Sequence, residues 1–173
     1  FSPFSPAGSW TFPSNTYSGV PPAPYGGSMY TNGSGQYAYA SIGFNSSIDF
    51  CIEGWVYFVS RNATASRLIE FNNGGYLGTQ GTSVIWQAPN GGNTIQIIGG
   101  TVQDNAWNHI CIIKGSTLVY LYLNGEQVNS TNGGAGAFSS DVVYIGSSAN
   151  GTSNQSAAYY SQILISNGTL NSY

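Results

Sequence analysis

Charged residues are scarce in this sequence, and the scarcity excludes several functions. Asp, Glu, Lys and Arg together make up 5% of the 173 residues, against roughly 25% in ordinary globular proteins. The only basic side chains are those of Arg61, Arg67 and Lys114, and the formal net charge is -3. Nucleic-acid binding needs several cations to neutralise phosphates. We therefore expect neither nucleic acid nor an anionic membrane surface as a partner.

Residues that commonly carry catalysis or bind metals are equally few. The chain has one histidine, His109, and two cysteines, Cys51 and Cys111. Any Ser–His or Cys–His mechanism must use His109, which lies inside a predicted strand, where a packed and hydrogen-bonded histidine is the common case. One histidine and two cysteines do not make up the usual four zinc ligands. We therefore predict no metal site, no cofactor and no enzymatic activity.

The sequence does contain many short β-strand patterns. Hydrophobic residues reach 41%, enough for a core, and no apolar run approaches the roughly 20 residues that span a bilayer, so membrane insertion is not expected.

Asn124 and Gly125 form a strong hairpin signal, because both positions of a type I′ turn need positive φ. Gly115 and Ser116 mark a second tight turn. Strands are predicted at 28–31, 36–41, 48–58, 67–72, 82–86, 94–98, 108–114, 117–123, 142–146 and 158–166. The absence of helical periodicity predicts an all-β, two-layer antiparallel sandwich.

Prolines set the first 26 residues apart from the rest. Each proline fixes φ and disfavours helix at the preceding residue, so residues 1–26 are predicted to be an extended arm or linker. The arm is either a simple tether or a segment that docks on a neighbouring subunit through Phe1, Phe4 and Trp10. Residues 27–173 are predicted to form one domain.

Six segments agree in order and spacing with one known family pattern. They are 27–40, 48–58, 107–114, 121–128, 143–148 and 159–170. The stretch WNHICIIK at Trp107–Lys114 resembles the pattern WHHVAVVR, and LYLNGEQV at 121–128 resembles LYVDGVLV. The chain thus resembles the concanavalin A-like domains of the laminin G and pentraxin type, which implies a jelly-roll sandwich. Its Pro-rich lead and charge-poor surface most resemble the versions in phage virion proteins.

Two chemistries of similar proteins are not expected here. Pentraxins bind calcium, which takes six to eight oxygens, but the matching stretch 146–156 contains no carboxylate. Family 16 glucanases use paired carboxylates about 5 Å apart. Here Ser47 stands where their leading Glu would be, and Asp49 and Glu53 lie four strand residues apart, roughly 13 Å. A glycosidase is therefore the least favoured function.

The two cysteines leave two strand registers open. Cys111 matches the second cysteine of the pentraxin disulfide, whereas Cys51 is displaced two residues from the first, where Glu53 stands. If Cys51 lies opposite Cys111, a disulfide is possible and Glu53 faces His109. If the pentraxin register holds, Glu53 faces Cys111 and no straight disulfide forms, which leaves two buried thiols.

Aromatic and amide side chains are the candidate ligand-binding groups. Carbohydrate sites stack sugar faces on aromatic rings and bind the hydroxyls with polar side chains, although most Trp and Tyr residues must serve packing. The candidates at loop or rim positions are Tyr76, Trp86, Gln87, Asn90, Asn93, Tyr159 and Tyr160.

These features favour a non-catalytic structural or adhesion module. The first hypothesis is a phage tail-fibre or capsid-decoration protein at the virion surface, with other virion subunits or copies of itself as partners and host-surface glycan as a candidate ligand. The second is a secreted, extracellular, lectin-like carbohydrate-binding domain of a cellular organism. Both rest on resemblance, since a fold does not determine a function.

Overall fold

The described part of the chain is built from β-strands. The computed structural model describes residues 5–7, 27–132, 134–149, 151 and 153–168, and of residues 5–7 it describes the backbone only. Within these ranges, no helix is long and apolar enough to cross a membrane. The strands are β1 (Ser5–Ala7), β2 (Met29–Asn32), β3 (Tyr37–Asn45), β4 (Phe50–Ser60), β5 (Ala65–Phe71), β6 (Tyr76–Gln80), β7 (Ser83–Asn90), β8 (Asn93–Gly99), β9 (Trp107–Lys114), β10 (Val119–Leu123), β11 (Glu126–Thr131), β12 (Ser139–Ile145) and β13 (Ala157–Asn167).

These strands form two antiparallel sheets that pack face to face. The seven-stranded sheet has the order β1-β3-β12-β5-β6-β7-β8, and the six-stranded sheet has the order β11-β10-β9-β4-β13-β2. The prediction of an all-β, two-layer antiparallel jelly-roll sandwich is confirmed. Strands β9, β4 and β13 lie at the centre of the six-stranded sheet.

Alternating side chains from both sheets meet in one core. On β4, Phe50, Ile52 and Val56 point inward and are fully buried. Trp86 of the opposite sheet is also fully buried, with its ring centroid 5.5 Å from that of Phe50. Its indole N–H donates a hydrogen bond of 2.9 Å to the carbonyl oxygen of Ala135. Trp86 therefore joins the two sheets rather than lying at the rim where the sequence had placed it.

Besides the short β1, two strands were not predicted from the sequence, β6 and β11, each for a separate physical reason. Strand β6 contains Gly78, where a Cβ would lie 2.1 Å from the Ser66 carbonyl oxygen, so glycine here permits close backbone approach rather than marking a loop. Strand β11 is mostly exposed and polar, as an edge strand can be. Its pairing through the Asn124–Gly125 turn matches the prediction, since φ is 52° and 83° at these two residues.

The second predicted turn is longer than expected. Lys114 pairs with Val119, so four residues connect β9 to β10 where two were predicted. The N–H of Gly115 closes this connection by donating to the Leu118 carbonyl oxygen at 3.0 Å.

The predicted arm falls almost wholly outside the described residues. Within 1–26 the structure describes the backbone of Ser5–Ala7, which pairs antiparallel with 37–39 of β3. The docking residues Phe1, Phe4 and Trp10 lie outside the described part. The division at residue 27 stays a prediction.

Trp86→Phe should lower the free energy of unfolding by about 1–3 kcal/mol, because it leaves the buried Ala135 carbonyl without its donor. Urea denaturation measures the change. Trp107→Phe, which removes the same group from a half-buried position on the outer face, is the matched control and should cost less. Equal losses at both positions would contradict the bridging role of Trp86.

Stability should also fall in alkaline solution. Burial raises the pKa of Tyr160 above its ordinary value near 10, and burial likewise raises the pKa of Tyr76. The folded chain therefore keeps phenolic protons that the unfolded chain releases, so this stabilising contribution is complete below about pH 10 and is lost as the pH rises further. Urea denaturation between pH 8 and 11 should show a smaller alkaline loss in Tyr160→Phe than in wild type. Tyr39→Phe, at an exposed position, controls for removal of a hydroxyl.

Candidate functional site

The outer face of the six-stranded sheet carries the candidate site. Because side chains alternate along a strand, the residues between the buried positions of β4 point away from the core. They are Cys51, Glu53, Trp55 and Tyr57. Neighbouring β9 presents Trp107, His109, Cys111 and Ile113 to the same face. Two adjacent central strands thus bring together the thiols, the histidine and one carboxylate.

A β-bulge in β13 shapes a groove beside these residues. The pairing of β13 with β4 shifts between Ser161 and Leu164, so Gln162 and Ile163 together lie opposite the single residue Gly54 of β4. Gln162 is exposed and has a φ of 49°, a left-handed conformation that is uncommon for a residue with a side chain. The groove has a volume of about 380 Å³ and is lined by Glu53, Trp55, His109, Gln162, Ile163 and Leu164. Bulges frequently occur next to functional sites.

An acid–imidazole contact lies at one side of the groove. The Nε2 atom of His109 is 3.3 Å from a carboxylate oxygen of Glu53. His109 lies directly opposite Trp55, with ring centroids 5.0 Å apart, so its contact with Glu53 is diagonal. Both side chains are half-buried, and a solute can reach them.

The strand register decides between the two alternatives for the cysteines. Glu53 lies opposite Cys111, as in the pentraxin register, and Cys51 lies opposite Ile113. The alternative that places Cys51 opposite Cys111 is wrong for this structure. Both cysteines are free thiols, and their Sγ atoms are 3.9 Å apart across the diagonal.

The two thiols share a hydrogen bond that separates their acidities. The side-chain hydrogen bond with Cys111 lowers the pKa of Cys51, more than burial and the charge of Glu53 raise it. The same hydrogen bond and burial raise the pKa of Cys111. Cys51 is therefore the more acidic of the two thiols.

Aromatic side chains form a continuous row next to the groove. Tyr30, Tyr159, Tyr57 and Trp107 lie on four neighbouring strands, β2, β13, β4 and β9. Successive ring centroids are 4.8, 6.1 and 5.7 Å apart. Such distances are typical of favourable aromatic pairs. The row stiffens the sheet beside Trp55.

A family model independently matches this arrangement of strands. Residues 25–172 match the model described as the concanavalin A-like lectin/glucanases superfamily, of the laminin G type. The chain belongs to this superfamily. No curated protein matches the chain by sequence.

Solved structures share the superfamily fold at low sequence identity. The binding domain of botulinum neurotoxin serotype D/C VPI 5993 has a TM-score of 0.71 and 12% identity, covering 98% of this chain and 44% of that one. The binding domain of botulinum neurotoxin DC in complex with SialylT gives 0.68 and 13%, with coverage of 98% and 44%. Domains LG4-5 of the mouse laminin α1 chain give 0.59 and 19%, with coverage of 79% and 38%. The present chain spans less than half the length of each, and the likeness shows the fold alone.

The residues predicted to bind a ligand do not line this superfamily member's groove. Trp86 and Tyr160 lie in the core, so their predicted position at a rim is wrong. Tyr159 belongs to the aromatic row and is also buried. Asn90 and Asn93 pair at the exposed end of the β7–β8 hairpin. A role for these two asparagines in ligand binding stays a prediction.

Tyr76 and Gln87 belong to a network on the other sheet. The Arg67 guanidinium lies 3.4 Å from the centroid of the Tyr76 ring and forms a buried ion pair with Glu70. The Tyr76 hydroxyl lies 3.3 Å from the Gln87 amide oxygen, to which Gln96 also donates. These contacts already engage both predicted residues, and they lie on the seven-stranded sheet rather than beside the groove.

In the stretch equivalent to the pentraxin calcium loop, a backbone N–H already contacts a carboxylate of the protein. The backbone N–H of Ala149 donates to a Glu70 carboxylate oxygen at 2.9 Å, and the same carboxylate pairs with Arg67. Among the described residues that could hold a metal, a group of three converges elsewhere, at Cys51, Glu53 and Cys111. The absence of a calcium site at 146–156 stays a prediction.

Gln162→Gly should stabilise the fold slightly. A left-handed residue with a Cβ costs about 1–2 kcal/mol, whereas glycine adds an entropic cost of about 0.5–1 kcal/mol, so we expect a net gain of about 0.5–1 kcal/mol in the free energy of unfolding. Gln162→Val, a β-branched residue, should instead lose about 1 kcal/mol or more. Denaturant titration of both variants measures the difference. The same sign for both would contradict the left-handed conformation of the bulge.

Proposed function

We propose that this chain is a non-catalytic adhesion module that binds carbohydrate in the groove beside the β13 bulge. The observation that carries the proposal is the half-buried Trp55 ring at the groove, with polar side chains beside it. A sugar presents an apolar face to an aromatic ring and hydroxyls to its polar neighbours. The exposed Gln162 amide offers both donors and an acceptor for those hydroxyls.

The size and lining of the groove suit one or two sugar units. Its volume of about 380 Å³ lies at the lower end of the range of roughly 300–1,000 Å³ for small-molecule sites. Trp55, Ile163 and Leu164 supply apolar surface, and Glu53, His109 and Gln162 supply polar groups. A mixture of apolar surface and a few placed polar groups is typical of such sites.

The carboxylates near this sheet support a binding role rather than hydrolysis. Glu53 contacts His109. Asp49, which directly precedes β4, lies 3.9 Å from the Lys114 ammonium. Glycoside hydrolysis in general needs two carboxyls that face one bond from about 5–9.5 Å apart. Asp49 and Glu53 have separate partners and lie four residues apart along the chain, so Asp49 is disfavoured as a second catalytic carboxylate.

Similar folds in cell-surface recognition add support. A solved structure at 13% identity is a botulinum neurotoxin DC binding domain in complex with SialylT. Another, at 12% identity, comes from work on botulinum neurotoxin type C, whose cell entry depends on interaction with two ganglioside molecules. The present chain aligns with 44% of each of these two structures. We extend carbohydrate recognition, but not a particular glycan, to the present chain.

We further propose that the module acts at a virion surface, as part of a phage tail fibre or capsid decoration, with other virion subunits or copies of itself as partners. The charge-poor composition and the proline-rich residues 1–26, which we propose as an arm ahead of the domain at 27–173, support this placement. The alternative is a secreted, lectin-like domain of a cellular organism. The genes next to the coding sequence would distinguish the two.

Trp55→Ala should weaken glycan binding roughly tenfold, because a lost stacking contact is worth about 1–1.5 kcal/mol. A glycan array that includes sialylated oligosaccharides would identify a ligand, and calorimetry would measure the affinity. Tyr120→Ala, an aromatic truncation on the outer face of β10 away from the groove, is the matched control.

The proposal fails if the wild-type chain binds no glycan on the array, or if Trp55→Ala and Tyr120→Ala bind equally well. Release of reducing sugar from a bound oligosaccharide would contradict the non-catalytic part alone. Circular dichroism of each variant excludes loss of fold as the cause of weaker binding.

A further inference from the structure

We propose that Cys51, Glu53 and Cys111 form a zinc site on the outer face of the six-stranded sheet, with a water molecule as the fourth ligand. The sequence alone predicted no site, because one histidine and two cysteines do not make up four ligands. The register between β4 and β9 brings the Glu53 carboxylate to the two thiols. The ligand atoms of Cys51, Glu53 and Cys111 all lie within 4.8 Å of one another, and His109 contacts Glu53.

The distances between these atoms suit a zinc tetrahedron. Zinc–sulfur bonds of about 2.3 Å place two sulfurs about 3.8 Å apart. The observed Sγ–Sγ distance of Cys51 and Cys111 is 3.9 Å, and a Glu53 oxygen lies within 4.8 Å of both sulfurs. The contact of His109 with Glu53, at 3.3 Å, orients the carboxylate beside the metal position.

The local charge also favours a bound cation. The three Lys and Arg side chains of the protein each pair with another acid: Arg61 with Asp104, Arg67 with Glu70, and Lys114 with Asp49. None of these three ion pairs includes Glu53. Two thiolates and a carboxylate carry three negative charges, which a divalent ion would largely neutralise.

The chemistry of the donors selects zinc over calcium or magnesium. Thiolate ligands suit zinc and other borderline-to-soft metals, whereas calcium and magnesium prefer oxygen. Cys111 is buried, and Cys51, Glu53 and His109 are half-buried, so an ion can enter from solvent.

Cobalt substitution in the full wild-type chain tests the ligand set directly. The protein is stripped of metal with a chelator, kept reduced with a phosphine, and titrated with Co²⁺ alone. The expected result is thiolate-to-cobalt charge-transfer absorption in the near ultraviolet, together with the intense visible bands of tetrahedral cobalt, both abolished by one equivalent of Zn²⁺. A spectrum without the charge-transfer band overturns the proposal, and no variant has to fold for this outcome.

Variants then assign the individual ligands. By competition with a chelating dye, Cys51→Ser and Cys111→Ser should each weaken Zn²⁺ binding about 100-fold or more, and Glu53→Gln and His109→Gln about 10–100-fold. Glu126→Gln, at an exposed position on β11, is the matched control and should keep the wild-type affinity. Unchanged affinity in either cysteine variant or in Glu53→Gln overturns the site, and unchanged affinity in His109→Gln overturns the orienting role of His109.

Mass spectrometry distinguishes the metal site from a disulfide. With Zn²⁺ present, the native mass should increase by one zinc ion and both thiols should resist oxidation. A Cys51–Cys111 disulfide that forms despite Zn²⁺ overturns the proposal. The experiment uses the metal alone, so its result is independent of whether the groove binds carbohydrate.

Discussion

The pairing of β4 with β9 is the constraint on which the remaining structure depends. A shift of one residue would move every side chain of a strand to the opposite face, exposing Phe50, Ile52 and Val56 to solvent. Burial of each such side chain is worth about 1.5–3 kcal/mol, whereas a solvent-accessible acid–imidazole contact contributes about 0–1 kcal/mol. The core therefore determines the register, and the meeting of Glu53 with Cys111 follows from it.

The few charges of this protein are placed to hold the fold rather than to attract partners. Arg67 lies between Glu70 and the Tyr76 ring, and Lys114 reaches Asp49 and the backbone carbonyls of Ser47 and Gly115. Each cation is mostly buried and has a fixed acidic partner. What remains at the surface is mainly neutral, so recognition by this chain must depend on hydrogen bonds and aromatic contacts, which salt screens little.

Period-two alternation and turn chemistry made most of the sandwich predictable, because they are local properties of the sequence. Strand β6 was not predicted because Gly78 suggested a loop. This glycine is instead needed for the close approach of the β5 backbone, which the local sequence does not reveal.

The candidate site was harder to predict. Glu53 and His109 were recognised as neighbours only in the alternative register, and the bulge at Gln162 has no compositional signal. Trp86 and Tyr160 were assigned to a rim because aromatic identity alone does not reveal which face of a strand is buried.

The location of the groove follows from how a sheet can create a concave surface. A regular ladder is nearly flat, and the one extra residue of β13 interrupts it beside Trp55. The left-handed Gln162 costs about 1–2 kcal/mol, a strain that persists only where the surroundings determine the conformation. Here the aromatic row on one side and the central β4–β9 pair on the other provide that rigidity. A carbohydrate would use the Trp55 ring and the Gln162 amide, whereas a zinc ion would use the thiols beyond Glu53, so the same rigid strands can support both sites without sharing all of their ligands.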